Sequence, residues 1–205
     1  TGPNGAITKA DIENYKPEGQ TISPDKLPVP SESDKLAVRS VISAAMSRSK
    51  REIPHYYLTE EINLKETLDW LETRNANQPV SDRILPLALY VKAVALASRS
   101  VTEMNGFWID DSFRPSESVH VGIVVSLRQG GLVAPAIHLA DQKPLEIIMR
   151  EILDLVSRAR TGKLKSSELA DPTITITNLG ERGVDQVFGI IHPPQVALLG
   201  FGAVK

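Results

Sequence analysis

Thr173, Thr175 and Thr177 alternate with Ile174 and Ile176, and the run passes directly into Asn178-Leu179-Gly180. Alternation of polar and apolar residues is the pattern of a strand with two unlike faces, so the three hydroxyls share one face. A short amide and a glycine directly after the strand allow an unusual turn with exposed backbone groups. A hydroxyl at a strand end, an adjacent amide and open loop backbone could hold a polar ligand or a developing oxyanion. Threonines are also ordinary strand formers, and pattern alone treats these three as equivalent. A second apolar run, Gln195 to Val204, closes the sequence.

Other catalytic patterns are weak. His55, His120, His138 and His192 each stand alone in sequence, with no His-x-x-x-His or Glu-x-x-His pair, so no metal site is expected. There is no Gly-x-Ser-x-Gly elbow and no phosphate loop ending in Gly-Lys-Ser/Thr. Gly200-Phe201-Gly202 ends the chain rather than opening a helix, which argues against a dinucleotide fingerprint. Cysteine is absent, so disulfides, thiolate metal ligands and a cysteine nucleophile are excluded; the composition fits a reducing compartment. A formal net charge of −2 gives no reason to expect nucleic acid or an anionic membrane as a partner. No apolar run approaches the roughly 18 residues of a membrane span.

The elements that would position the threonine strand can be read in order. Gly2 to Gly5 is a turn, and Thr8 and Asp11 suggest a short helix to Tyr15, too short to stand alone. Residues 16–34 carry Pro17, Pro24, Pro28 and Pro30 among polar residues, the composition of a semi-rigid linker. The globular part is expected from Lys35. Leu36, Val38, Val41, Ile42, Ala45 and Met46 predict an amphipathic helix, and His55 to Ile62 a strand. Asn63 is the expected cap of a helix ending near Asn75. Ile84 to Ala97 is a buried helix with Pro86 in its first turn. Asn105 to Phe113 suggests a hairpin turning at Asp110-Asp111. Two strands, His120 to Leu127 and Leu132 to Ile137, are joined through Gln129-Gly130-Gly131 and read as buried on both faces. Pro144 opens a helix with Leu145, Ile148, Ile152, Leu155 and Val156 inward, and Ser166 caps a short turn before the threonine strand. Mixed helices and hairpin-connected strands favour a layered α+β sheet over a doubly wound parallel one.

Several stretches also occur in the order seen in one family. Thr1 to Ile12, Arg39 with Ser47 to His55, His120 to Ser126 with Gly131 to Pro135, Arg160 to Leu164, Ile174 to Gly180, and Pro193 to Gly200 together resemble the dihydrolipoamide acyltransferase component of 2-oxo acid dehydrogenase complexes. The resemblance implies a chloramphenicol acetyltransferase-like fold, a mixed sheet covered by helices in a layered sandwich. It implies that residues 1–15 are the remnant of a peripheral subunit-binding domain, 16–34 a linker, and 35–205 a catalytic domain whose C-terminal end is missing. The chain is therefore expected to be a fragment or a processed form.

The implied activity is transfer of an acyl group, acetyl favoured over succinyl or branched-chain groups, between a dihydrolipoyl arm and coenzyme A. By motif position Thr177 supports the oxyanion. Asn178, Gly202, Val204 and Ser126 line the coenzyme A side, although Ser126 and Glu181 depart from the residues relatives carry there. The family's general base lies in a His-x-x-x-Asp-Gly motif roughly 25 to 35 residues beyond the point matched by Lys205, and none of this chain's four histidines has that context. The lipoyl group is carried on a separate domain, and no metal is implied. The expected partners are further copies of the chain, as trimers assembling into a larger core, and the 2-oxo acid decarboxylase and dihydrolipoamide dehydrogenase components. The compartment would be the bacterial cytoplasm, or the mitochondrial matrix in a eukaryote. Two other readings are a non-catalytic assembly scaffold and a free acetyltransferase of the chloramphenicol type, the second disfavoured by the tether.

Overall fold

The computed structural model describes residues 32–127 and 130–205. The expected N-terminal helix, nearly all of the linker, and Gln129 of the hairpin turn lie outside the described residues. Among the described residues there are four helices of two turns or more: α1 (Glu32–Glu52), α2 (Lys65–Asn75), α3 (Pro86–Ser100) and α4 (Leu145–Arg160). A one-turn helix, α5 (Ser166–Ala170), precedes the threonine strand. Pro86 occupies the first turn of α3, where its missing N–H costs nothing. Helix α4 carries Glu146 in its first turn and Arg158 and Arg160 in its last, each complementing the helix dipole.

The hairpin β1 (Gly106–Ile109) and β2 (Ser112–Pro115) turns at Asp110 and Asp111, both at positive φ (50° and 53°) as a two-residue hairpin turn requires. The expected pair of long strands is a bent hairpin in two parts. β3 (Val121–Ile123) pairs with β6 (Ala136–Ile137), and β4 (Val125–Ser126) pairs with β5 (Leu132–Val133). The first part is buried; Ser126 and Leu132 in the second are exposed, so burial on both faces holds only for the inner half. The central sheet runs β6-β3-β7-β8, with β7 at Ile174–Asn178 and β8 at Leu198–Phe201. β3, β7 and β8 are parallel and β6 is antiparallel to β3. The sheet is mixed, as the α+β reading expects.

Helices α3 and α4 pack on each other and cover one face of the sheet. Val121, Ile123, Ile174 and Ile176 meet Ala88, Val91, Ala95, Ile148, Ile152 and Leu155 in a single core. The opposite face of β7 carries the threonines and lies under the β1–β2 hairpin and the segment before β8, tied by Trp108 N–H to Pro194 O (2.8 Å).

Two expectations fail. His55 to Ile62 forms no strand: the backbone from Tyr56 to Asn63 bonds to no other backbone among the described residues, and Tyr56, Leu58 and Ile62 are 71–85% exposed. Period-2 patterning states what a segment can pair with; without a neighbouring strand the ladder does not form. The other side of the segment is engaged, with Tyr57 edge-on to Phe188 and its hydroxyl bonded to Lys50. Helix α1 forms where predicted, yet Leu36, Val41 and Ala45 face solvent, and among the residues whose burial is described only Ile42, Met46 and Ser49 turn inward. Smaller shifts are of one or two residues. Asn63 accepts the Lys65 N–H although Leu64 holds the cap position, and Ser166 begins α5 rather than capping it.

One ion pair closes the helix layer onto β7. Arg158 grips Glu168 with two parallel bonds (2.6 and 2.7 Å) while Lys165 N–H donates to the same carboxylate (2.8 Å). The Arg158 bonds hold the Glu168 carboxyl down at about 2, against the upward push of burial. A carboxyl depressed on folding contributes stability that is fully present above its unfolded value near 4.5 and is lost as pH falls toward 2. Glu168→Gln is expected to cost about 2 kcal/mol in urea unfolding at pH 7, because Arg158 is left half-paired. The same variant should lose less further stability than wild type between pH 4.5 and pH 2; equal acid losses would remove Glu168 from this role.

Candidate functional site

The three threonines are equivalent in sequence and unequal in the fold. Thr173 Oγ1 donates to Asn105 Oδ1 (2.6 Å) and accepts from His120 N–H (3.0 Å). Thr175 Oγ1 donates to Gln195 Oε1 (2.7 Å), both groups buried. Among the described residues the Thr177 hydroxyl has no hydrogen-bond partner. Thr177 retains 9% of its surface, and the only fully enclosed unpartnered side-chain N or O there belongs to Asp141, so the Thr177 oxygen reaches the surface. A hydroxyl that is held by its strand yet uncommitted is available to a ligand.

Thr177 lies opposite Gly200 in the β7–β8 register, and Asn178 opposite Phe201. Asn178 Oδ1 accepts the Gly180 N–H (3.1 Å), which fixes the turn and leaves the amide nitrogen without a partner among the described residues. Phe201 stacks on Tyr90 of α3 at 4.3 Å and 2°. Burial, with a smaller push from the Glu181 carboxylate, raises the Tyr90 phenol above its ordinary value. Because β3, β7 and β8 are parallel, Ser126 on β4, Asn178 and Gly202 all leave the sheet at its carboxyl end. Gly202 and Val204 lie beyond β8, which stops at Phe201, rather than on it. The strands thus bring Thr177, Asn178 and Gly202 to one edge, with Ser126 exposed at the end of the neighbouring strand. Two clefts lie away from them, one between β6, α4 and Glu168, the other beside Arg99, Asn105 and Glu117.

His120 and His138 lie elsewhere. His120, His138 and Asp171 cluster at the opposite, amino end of β3 and β7. His138 Nε2 is 3.0 Å from Asp171 Oδ2, and His120 Nδ1 accepts the Leu139 N–H (3.0 Å). Burial, then the neighbouring His138, lower the His120 pKa against smaller opposing effects of Asp171, the Val119 backbone and Asp141. His55 has both ring nitrogens engaged, at Ile53 O and Ile191 N, and His192 meets Ile190 O. Among the described residues no group of three or more acidic or imidazole side chains is arranged to hold a metal. Asn105 and Gln195, which decide how the threonines differ, were not singled out in the sequence. A buried amide leaves no periodic signal, since it is recognised only by the partner it finds.

The class follows from this architecture: a layered α+β domain whose mixed sheet presents, among the described residues, one unpartnered threonine hydroxyl at a strand end. Residues 31–205 match the family model of the 2-oxoacid dehydrogenases acyltransferase catalytic domain. The chain belongs to that family. It is 33% identical over 218 residues to the dihydrolipoyllysine-residue acetyltransferase component 2 of the pyruvate dehydrogenase complex of Arabidopsis thaliana, a match covering 100% of this chain and 40% of that protein. It is 32% identical to the corresponding component of Rickettsia bellii, covering 99% and 50%. The chain thus spans half or less of these relatives. A probable dihydrolipoamide acetyltransferase from Listeria monocytogenes superposes with a TM-score of 0.73 at 27% identity, covering 89% of this chain and 77% of that one. The Azotobacter vinelandii dihydrolipoamide acetyltransferase shares the fold, with a TM-score of 0.77 at 24% identity over 88% and 78% of the two chains. These likenesses bear out the expected family and fold.

The edge beside Thr177 depends on missing side chains. A Cβ on Gly202 would overlap the Asp185 carbonyl, and one on Gly200 would meet Val187. Gly202→Ala is therefore expected to destabilise the domain by about 1–3 kcal/mol through overpacking against backbone. Urea unfolding checks this, and a neutral substitution would show that the 184–187 segment yields freely.

Proposed function

We propose that the protein is an acyltransferase that moves an acyl group, acetyl favoured, between a dihydrolipoyl arm and coenzyme A. Family membership supports the reaction class, and the uncommitted Thr177 hydroxyl is the observation that carries the site. When a thiolate attacks the thioester carbonyl, the carbonyl oxygen gains negative charge, and the carbon–sulfur bond to the leaving thiolate then breaks. Thr177 donates its proton as a hydrogen bond to that oxyanion. A preorganised donor of this kind is worth roughly 3 kcal/mol, about a hundred- to thousandfold in rate. Thr173 and Thr175 cannot substitute, because their hydroxyls are spent on Asn105 and Gln195.

Asn178, with its free amide nitrogen, and the backbone at Gly202 and Val204 form the coenzyme A side, with Ser126 beside them. The general base would be a histidine beyond Lys205, in keeping with the family resemblance. His120 and His138 occupy the wrong end of the sheet, and His55 has no free ring nitrogen. A second copy in a trimer would supply that base, and trimers would build the core of a 2-oxo acid dehydrogenase complex; the Arabidopsis and Rickettsia relatives are named as components of pyruvate dehydrogenase complexes. The decarboxylase and dihydrolipoamide dehydrogenase would dock through the subunit-binding element that residues 1–15 resemble, tethered by residues 16–34. The compartment would be bacterial cytoplasm or mitochondrial matrix.

The full-length protein should transfer acetyl from acetyl-coenzyme A to dihydrolipoamide. Thr177→Ala is expected to lower kcat about a hundred- to thousandfold, and Thr177→Ser to retain most of it. A loss below about tenfold for the alanine variant would make Thr177 an ordinary strand residue.

A further inference from the structure

Gln195 is unusual among the residues near the site. Its side chain is buried, and its side-chain oxygen accepts the one proton that Thr175 can donate (2.7 Å). Thr175 is two residues from Thr177 on the same face of β7, about 7 Å along the strand. The backbone around Gln195 is held from several directions. Its N–H donates to His192 O (2.9 Å), it forms a β-bridge with Phe107, and Pro194 O accepts from Trp108 N–H (2.8 Å). Further back, Ile191 is clipped on both sides, its N–H to His55 Nε2 (3.0 Å) and its carbonyl to Ser49 Oγ (2.7 Å). The Gln195 amide is thus a fixed point, anchored to the hairpin layer and to the α1 end, from which one bond reaches the catalytic strand.

We infer that Gln195 is a positioning residue for Thr177, holding the face of β7 in register so that the one free hydroxyl meets the reacting carbonyl. This rests on the acyltransferase reading above. β8 holds β7 laterally through main-chain bonds, and the Gln195–Thr175 bond adds a tether out of the sheet plane at the second residue of the strand, two residues before Thr177. Asn105 ties Thr173, just ahead of the strand and four residues from Thr177, so its hold on the hydroxyl is weaker. A displacement near 1 Å costs on the order of a hundredfold in rate, so a partly loosened strand should cost about tenfold.

In the full-length protein, Gln195→Met, similar in length but without the amide, should lower kcat about tenfold with the KM for coenzyme A within about twofold. Thr175→Val should do the same, and the double variant should be no worse than the poorer single one, because both remove one bond. Thr175→Ser keeps the donor and should restore kcat even where its stability is lower. An unchanged kcat in Gln195→Met, or multiplied losses in the double variant, would overturn the inference. Amide hydrogen exchange decides independently of activity. Protection at Thr177 and Asn178 should fall in Gln195→Met while Ile174 stays protected, and unchanged protection at Thr177 sinks the positioning role. A wild-type protein that transfers no acyl group would overturn the proposed function, leaving the exchange result to decide the role of Gln195.

Discussion

Strand β7 is buried on both faces, and that constraint shapes everything around it. Its isoleucines need only apolar neighbours, which α3 and α4 supply. Its threonines, with Thr173 just ahead of it, bring hydroxyls into a buried layer, where an unpaired donor or acceptor costs about 1–3 kcal/mol. The fold meets that requirement twice with amides drawn from distant segments, Asn105 from the hairpin entrance and Gln195 from the run before β8. The third hydroxyl escapes the requirement only because it lies where the strand reaches the surface. Structural satisfaction at two positions and chemical availability at the third therefore follow from where each hydroxyl sits along one stretch of chain.

The glycines beside that strand follow from the same crowding. Gly122 leaves room for Thr175 Oγ1, and Gly200 and Gly202 let the 184–187 segment lie against β8. Side chains there would push away the segment that walls the Thr177 edge. On the opposite face the Arg158–Glu168 pair ties α4 to the short helix that leads into β7, so the strand's start is fixed as firmly as its middle.

Much of this frame is legible in the sequence because it depends on local chemistry. Asp110-Asp111 makes a two-residue turn wherever two β runs flank it, and Pro86 and Pro144 mark helix starts regardless of what the helices touch. The family resemblance singles out Thr177, which pattern alone does not. What stays illegible depends on partners far along the chain. His55 to Ile62 has the residues of a strand and no neighbour to pair with. Thr173, Thr175 and Thr177 differ only through residues 68 and 20 positions away from the first two. The apolar stripe of α1 is real as a pattern, but a stripe does not state which surface will cover it.

The placement of a free hydroxyl on so constrained a strand has a physical logic. Oxyanion stabilisation depends on donors that are already in place when charge develops, because reorganisation at that moment consumes the gain. A threonine suits this better than a longer donor: its β-branch restricts χ1, so fixing the backbone nearly fixes the oxygen. The strand must then be fixed more tightly than core packing alone achieves, since apolar contacts are non-directional. Directional bonds from Asn105 and Gln195 supply what packing cannot, and they do so from the same face on which the hydroxyl projects. Under the proposed reading, the residues that look merely structural on this sheet set the precision of the one that does not.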